Sequence, residues 1–153
     1  MAQPLLNVTD LHAGYGKAEV LHGLNLRADA GRVITVIGPN GAGKSTLLNA
    51  LMGVLPARGG ISYQGASIGT RSLEERVMLG IALVPETRAL FGTMAVEDNL
   101  LLGAYRQVRL GNKGSAAAME RVFALFPRLK ERRAQLAGTL SGGERRCSPS
   151  AAR

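Results

Sequence analysis

The chain has 153 residues, of which 46% are hydrophobic, and this size suits one domain with a buried core. Its net charge of +8 would suit a polyanion, but aromatic residues make up only 4% and the arginines are scattered, which argues against nucleic-acid binding. No apolar run approaches the roughly 20 residues that span a bilayer, and the N-terminus does not resemble a signal peptide, so we expect a soluble, cytoplasmic chain. The single cysteine, Cys147, excludes an internal disulfide.

The first 30 residues predict an antiparallel β layer. Residues 5–9 and 24–28 alternate between apolar and polar side chains, and residues 14–17 between them predict a turn. Tyr15 in this turn is either a packing aromatic or a platform on which a nucleotide base stacks, and its spacing does not decide between them. His12 and His22 lack metal-ligand spacing and are predicted to be surface or packing residues.

Residues 38–46 match the pattern G-x-x-x-x-G-K-[ST] of a phosphate-binding loop. An apolar run at 33–37 predicts a strand before the loop, and residues 47–52 predict a helix after it, which is the context the motif requires. We expect Gly38, Gly41 and Gly43 to adopt positive φ, so that successive backbone N–H groups turn toward an anion. We expect Lys44 to reach the β- and γ-phosphates and Ser45 to bind Mg²⁺. The predicted nucleotide-binding residues of this loop are Gly38, Pro39, Asn40, Gly41, Ala42, Gly43, Lys44, Ser45 and Thr46.

The following segment predicts a second strand-to-helix unit. Residues 56–60 form a breaker cluster and residues 60–65 a short strand. Ser72 and Glu75 have the spacing of a capping box, which predicts a helix running to about Gly80. Residues 81–84 are a continuous apolar run, typical of a buried strand in a parallel sheet. Two such units around one core predict an α/β nucleotide-binding fold.

Helices dominate the rest of the chain. Residues 94–105 and 116–126 show helical apolar spacing, with a loop at 111–114 between them, and are predicted to form a separate lobe. Residues 128–133 predict a solvated charged face, with an acidic or phosphate-bearing partner as the alternative. Considered alone, residues 140–144, with the sequence LSGGE, could be an ordinary loop that leads into a helix.

Together, the phosphate loop and residues 140–144 resemble the Walker A and signature motifs of the ATP-binding cassette (ABC) ATPases, and the resemblance covers residues 4–144. Tyr15 stands where that family has its base-stacking aromatic, and Glu86 where the loop joining the two lobes usually carries Gln. Residues 11–16, 84–86 and 97–105 are similar to ATPase subunits of branched-chain amino-acid importers, in which Glu at this position is common. Importers for amides and urea have closely related sequences.

This resemblance implies an α/β fold with a P-loop NTPase-type sheet, an N-terminal antiparallel β layer and an inserted helical lobe. The implied cofactors are ATP and Mg²⁺, with Ser45 and Glu86 in the metal shell and Lys44 and Glu86 contributing to hydrolysis. Ser141, Gly142 and Gly143 would face the γ-phosphate of ATP held by a second ATP-binding subunit, in a homo- or heterodimer. Transmembrane permease subunits would hold the chain at the inner face of the cell membrane. A periplasmic or extracellular substrate-binding protein would act through the permease.

The sequence departs from the family pattern in two places. Relatives commonly have Thr where Ala95 stands, and losing this helix cap costs about 0.5–2 kcal/mol; Thr93 is the alternative helix start. In the family, the signature helix leads to an apolar strand ending in Asp-Glu, the Walker B aspartate and catalytic glutamate, and then to a switch histidine. Residues 145–153 contain no counterpart, so we expect an incomplete catalytic site and a core whose C-terminal part is missing.

The expected organisation is a partial ABC ATP-binding domain over residues 1–146 followed by an aberrant tail at 147–153. The domain would comprise the β layer and phosphate-loop core (1–92), the helical lobe (93–140) and the start of the signature helix (141–146). Deleting a single nucleotide from a coding sequence for Met-Leu-Ala-Ile-Gly-Arg-Ala yields the sequence of residues 147–152, so we expect a frameshift after about Arg146; a naturally divergent tail is the alternative. Because a strand at 33–37 would then lack a neighbour, we also expect low solubility.

Three functions follow from these observations. The first is an ATPase subunit that couples ATP binding and hydrolysis to import, with branched-chain amino acids as the expected substrate. The second is a nucleotide-binding fragment without turnover, or a non-functional gene product. The third is a cytosolic ABC-type ATPase that acts on nucleic acid or ribosomes, which the basic charge allows.

Overall fold

The computed structural model of the chain describes residues 3–86, 89–111 and 115–140. Contacts divide the chain into two compact units, Met1–Leu83 and Val84–Arg153. In the described residues, no helix is long and apolar enough to cross a membrane.

The first unit contains a four-stranded antiparallel sheet, and its N-terminal hairpin confirms the predicted β layer. Strand β1 (Leu6–Tyr15) turns at Gly16 into β2 (Ala18–Ala28), and β3 (Ala57–Tyr63) and β4 (Ala66–Ser67) complete the order β2-β1-β3-β4. Both hairpin strands are longer than predicted. The reason is a bulge in β1 at Asp10, where φ is +51° and the pairing shifts, so the alternation of buried residues breaks in mid-strand.

The prediction of a breaker cluster at 56–60 is wrong, because β3 begins at Ala57. Gly59 has φ of +108°, and a side chain there would collide with the carbonyl of Asp10 in the bulge. The glycines therefore allow β3 to approach the bulged strand closely, and they do not end the sheet.

The helices of the first unit are α1 (Lys44–Met52) and α2 (Leu73–Met78). The Ser72 hydroxyl accepts a hydrogen bond from the Glu75 N–H at 3.2 Å, and the Glu75 carboxylate accepts one from the Ser72 N–H at 2.8 Å, which confirms the capping box. The helix ends at Met78, slightly before the predicted Gly80. Apolar side chains of the sheet and α1 form one core, together with Ile68: Val8, Leu11, Ala13, Leu21, Leu47, Ala50 and Ile61.

The predicted strands at 33–37 and 81–84 are not observed. Val33 and Ile37 are 93% and 88% exposed, and in the described part of the chain residues 33–37 make no backbone hydrogen bond. A strand of a parallel sheet requires a hydrogen-bonded neighbour, and no described residue pairs with either segment. Apolar content alone therefore gave two wrong assignments.

The second unit contains α3 (Val96–Gly103), α4 (Tyr105–Arg109), α5 (Ser115–Leu125), α6 (Pro127–Glu131) and a 3₁₀ turn (Ala137–Thr139). The predicted helix at 94–105 is thus two helices that meet at Ala104. Pro127 both follows α5 and begins α6, where its missing N–H costs little. The charged segment that starts at Arg128 has one inward residue, Leu129, which joins the core of this unit: Val96, Leu100, Val122, Phe123, Leu129 and Leu140.

Helix α3 begins without a Thr cap, and Thr93 does not replace it. Ala95 is the capping residue, and its N–H donates to the Asp98 carboxylate at 3.3 Å. The buried Asn99 side chain adds four hydrogen bonds. Its Oδ1 accepts from the Phe91 N–H at 2.9 Å, and its Nδ2 donates to the carbonyls of Phe91 at 3.1 Å, Met94 at 3.5 Å and Ala95 at 2.9 Å. Asn99 thereby fixes the segment that precedes the helix.

Candidate functional site

The loop between residue 37 and helix α1 has the backbone shape of an anion cradle. Gly41 and Gly43 both have φ of +87°, a conformation that other residues rarely adopt. Gly38 does not have positive φ, contrary to expectation; its role is spatial, because a Cβ there would lie 3.1 Å from the Ala42 Cβ. The Ala42 N–H donates to the Pro39 carbonyl at 3.2 Å and closes the turn.

Helix α1 starts directly from this loop. Its first intrahelical hydrogen bond joins the Leu47 N–H to the Gly43 carbonyl at 2.8 Å, so the preceding N–H groups of the first turn have no helical acceptor. A Cβ on Gly43 would lie 3.0 Å from Leu21 Cδ2 and 3.1 Å from Val20 Cγ1, which places the loop directly on β2. The sheet therefore supports the positive end of α1.

The Lys44 side chain lies over the loop that precedes it. Its Nζ donates to the Gly38 carbonyl at 2.8 Å and to the Pro39 carbonyl at 2.7 Å. An ammonium has three donors, so one remains for an anionic oxygen held inside the loop. Because both contacts are to backbone carbonyls, and no carboxylate of the described residues pairs with Lys44, its positive charge stays beside the cradle.

The next residues differ in exposure. Ser45 is exposed in the first turn of α1, where its hydroxyl can bind a cation, whereas the Thr46 side chain is buried and only its backbone N–H can belong to the cradle. Pro39, Asn40 and Ala42 are exposed on the loop. Nucleotide binding by each of these residues stays a prediction.

Tyr15 lies at the end of β1 and is 53% exposed, so it is not a core residue. It lines an open cleft of about 550 Å³ between the β1–β2 hairpin and residues 55–58. This exposure leaves the ring available for a flat ligand, and base stacking remains a prediction.

A charged cluster lies beside Tyr15 and is not predicted by any sequence motif. His12 Nδ1 lies 2.6 Å from Glu19 Oε1, and His12 Nε2 lies 3.1 Å from Asp10 Oδ1. The hydrogen bond to Glu19, and after it the hydrogen bond to Asp10, raises the pKa of His12. The hydrogen bond between His12 and Glu19 also lowers the pKa of Glu19. Arg58 on β3 adds a contact of 3.5 Å to Glu19. Only the strand register brings these groups together, so the sequence offers no local signal for them.

The other residues predicted to contact the nucleotide or its metal ion lie in later parts of the chain. Glu86 is exposed at a bend in the second unit, and its role in a metal shell stays a prediction. Ser141, Gly142 and Gly143 lie outside the described residues.

A family model described as ABC transporter matches residues 21–148. The high-affinity branched-chain amino acid transport ATP-binding protein BraG of Pseudomonas aeruginosa is 40% identical over 141 residues, which are 92% of this chain and 59% of that protein. A probable branched-chain amino acid transport ATP-binding protein, LivF of Archaeoglobus fulgidus, is 33% identical over 142 residues, with the same shares covered.

A solved structure is also similar to this chain. A structure described as an ATP-binding subunit of an ABC transporter superposes with a TM-score of 0.79 and is 30% identical; the match covers 97% of this chain and 60% of that one. The chain thus spans about three-fifths of the length of the relatives that it matches.

Proposed function

The chain belongs to the ABC transporter family, and on that premise we propose that it binds ATP with Mg²⁺ through residues 38–46. One observation carries the proposal. The ammonium of Lys44 lies 2.7–2.8 Å from two loop carbonyls, directly before the N-terminus of a helix that starts at a left-handed glycine. Backbone N–H groups, a helix end and the ammonium of Lys44 then converge where a polyphosphate would lie.

Each residue has a distinct task in this proposal. Lys44 compensates the charge of the β- and γ-phosphates, and the backbone of the loop holds their oxygens. Ser45 would hold Mg²⁺, with Glu86 as a second contributor to its shell, and the cation would stabilise charge on the phosphates. Tyr15 would stack on the adenine.

We extend the proposal to transport on the names of the relatives. BraG and LivF are described as ATP-binding proteins of branched-chain amino acid transport, so the proposed role is the ATP-binding subunit of an importer for such substrates. Its partners would be permease subunits in the membrane, which would hold it at the cytoplasmic face, and a second ATP-binding subunit that meets the segment from Ser141 to Gly143. A substrate-binding protein outside the cytoplasm would contact the permease.

Hydrolysis is a separate question, because residues 1–153 contain no Asp-Glu pair. The attacking water would then lack the carboxylate base, and Mg²⁺ an outer anchor. A polypeptide of these residues is therefore proposed to bind ATP and to release phosphate only at background rate. Phosphate release comparable to that of BraG under the same conditions would contradict this part of the proposal.

The binding proposal is tested by the affinity of the purified chain for Mg-ATP, measured by equilibrium dialysis at concentrations where the chain is monomeric. Replacing Lys44 with Ala should lower the affinity by about tenfold or more, since a charged hydrogen bond and a charge partner are lost. Lys130→Ala is the matched control, because Lys130 is an exposed lysine of the second unit that pairs with Glu120 at 3.0 Å. Equal affinity of the Lys44→Ala and parent proteins would refute the assignment of the phosphate loop.

A further inference from the structure

The other end of the phosphate-loop helix holds a buried charge. Arg76 projects from α2 and is 3% exposed. Its guanidinium donates four hydrogen bonds, all to backbone carbonyls: Ala50 at 3.0 Å, Leu51 at 2.7 Å, Gly69 at 3.0 Å and Arg71 at 3.1 Å. Within the described ranges, no carboxylate lies within ion-pair distance of it. Burial lowers the pKa of the Arg76 guanidinium, yet an arginine stays charged in proteins.

The acceptors show what balances this charge. Ala50 and Leu51 belong to the last turn of α1, whose carbonyls carry the partial negative charge of the helix dipole. Arg76 therefore satisfies the C-terminal end of the same helix whose N-terminal end begins at the phosphate loop. The two hydrogen bonds to Gly69 and Arg71 join that end to the segment between β4 and α2.

The position after α1 is shaped around the guanidinium. Gly53 has φ of +78°, and a Cβ there would lie 3.1 Å from both Cζ and Nε of Arg76. A glycine at this site thus serves the helix end and leaves room for the arginine. The arrangement is a built contact between two elements and involves most of the donors that an arginine has.

The length of α1 sets the distance between the buried charge of Arg76 and the phosphate loop. Nine residues at 1.5 Å each separate the two ends by about 13.5 Å, and between them α1 packs on the core through Leu47 and Ala50. Charges interact several times more strongly through protein than through water at the same distance. A buried cation at the C-terminus should therefore raise the positive potential felt at the N-terminus.

We propose that Arg76 is a positioning residue for phosphate binding: it anchors the C-terminus of α1 and adds positive potential along that helix to the loop at residues 38–46. This inference rests on the proposed ATP binding and deepens it, since it adds a residue remote from the ligand. The proposal predicts that Arg76 affects the affinity for ATP and not the affinity for adenosine, because adenosine carries no charge on which the potential could act.

The test compares ATP and adenosine binding in three variants. Arg76→Gln removes the charge, and Arg76→Lys keeps it. Arg71→Gln is the matched control, because the Arg71 side chain is exposed and pairs with Glu75 at 3.4 Å on the surface. ATP affinity is measured by equilibrium dialysis and adenosine affinity by NMR titration. The expected result is a loss of about three- to tenfold in ATP affinity for Arg76→Gln with adenosine affinity unchanged, no change for Arg71→Gln, and recovery to within about twofold in Arg76→Lys.

Several outcomes would overturn the proposal. Unchanged ATP affinity in Arg76→Gln, or an equal loss for ATP and adenosine, would leave Arg76 with a role in stability alone. If Arg76→Gln does not fold, the test rests on Arg76→Lys. A folded lysine variant whose ratio of ATP affinity to adenosine affinity falls fivefold or more would refute the proposal. Failure of both variants to fold would also refute the proposal. Absence of ATP binding in the parent protein would instead refute the proposed function, so the two failures are distinguishable.

Discussion

Replacing Val33 and Ile37 together with lysine should reduce self-association of the chain. These side chains are 93% and 88% exposed, and in the described part of the chain no backbone group of residues 33–37 is hydrogen-bonded. Burying a side chain of this size contributes about 1.5–3 kcal/mol, so pairing of two such segments could contribute roughly 3–6 kcal/mol per chain before the cost of association. Each 1.4 kcal/mol corresponds to about tenfold in the association constant.

Sedimentation velocity over a range of protein concentrations measures the effect. The parent chain should form larger species as its concentration rises, and the Val33→Lys, Ile37→Lys protein should remain monomeric to concentrations at least about tenfold higher. Leu125→Lys is the matched control, since Leu125 is a comparably exposed apolar residue but lies on helix α5, whose backbone is hydrogen-bonded. Amide hydrogens of residues 33–37 should exchange rapidly in the monomer.

Equally strong association of the double variant and the parent would show that residues 33–37 do not drive self-association. An equal gain in solubility from Leu125→Lys would show that exposed apolar area, rather than unpaired backbone, is the cause. Strong exchange protection at residues 33–37 in a monomer would show that the segment already has a hydrogen-bonded neighbour.

Three other outcomes are expected. Asn99→Ala should destabilise the second unit by about 2–4 kcal/mol, since four hydrogen bonds of a residue only 8% exposed are lost. Replacement of the exposed Thr93 with Ala should have little effect, and amide exchange at Phe91 measures both variants. Tyr15→Ala should weaken ATP binding by about 1–3 kcal/mol if adenine stacks on the ring, and an unchanged dissociation constant would contradict this. The contact with Glu19 raises the pKa of His12, so protonated His12 stabilises the folded chain fully below the ordinary pKa near 6.5. This stabilisation is lost as the pH rises through the higher pKa of the folded state. The thermal midpoints measured below and above this pH range should therefore differ less in His12→Gln than in the parent.

Some features could be predicted because their determinants lie within a few residues. The Ser72 capping box needs only a hydroxyl and a carboxylate three positions apart, and both hydrogen bonds form as expected. The phosphate loop is equally local: left-handed glycines at 41 and 43 follow from the order of residues in one short motif, although α1 begins at Lys44, three residues before the predicted start at 47. The sequence alone therefore located the candidate site and the helix that carries it.

Other features depend on partners that are remote in the chain. Residues 33–37 and 81–84 are apolar enough for strands, but a strand exists only when another segment accepts and donates its backbone hydrogen bonds, and apolar content carries no information about that segment. The His12–Glu19 contact depends on the register of a bulged hairpin, and Arg76 meets Ala50 across 26 positions of sequence. Tertiary structure alone determined these contacts, because burial and distance between remote residues arise only after the chain has folded around a common core.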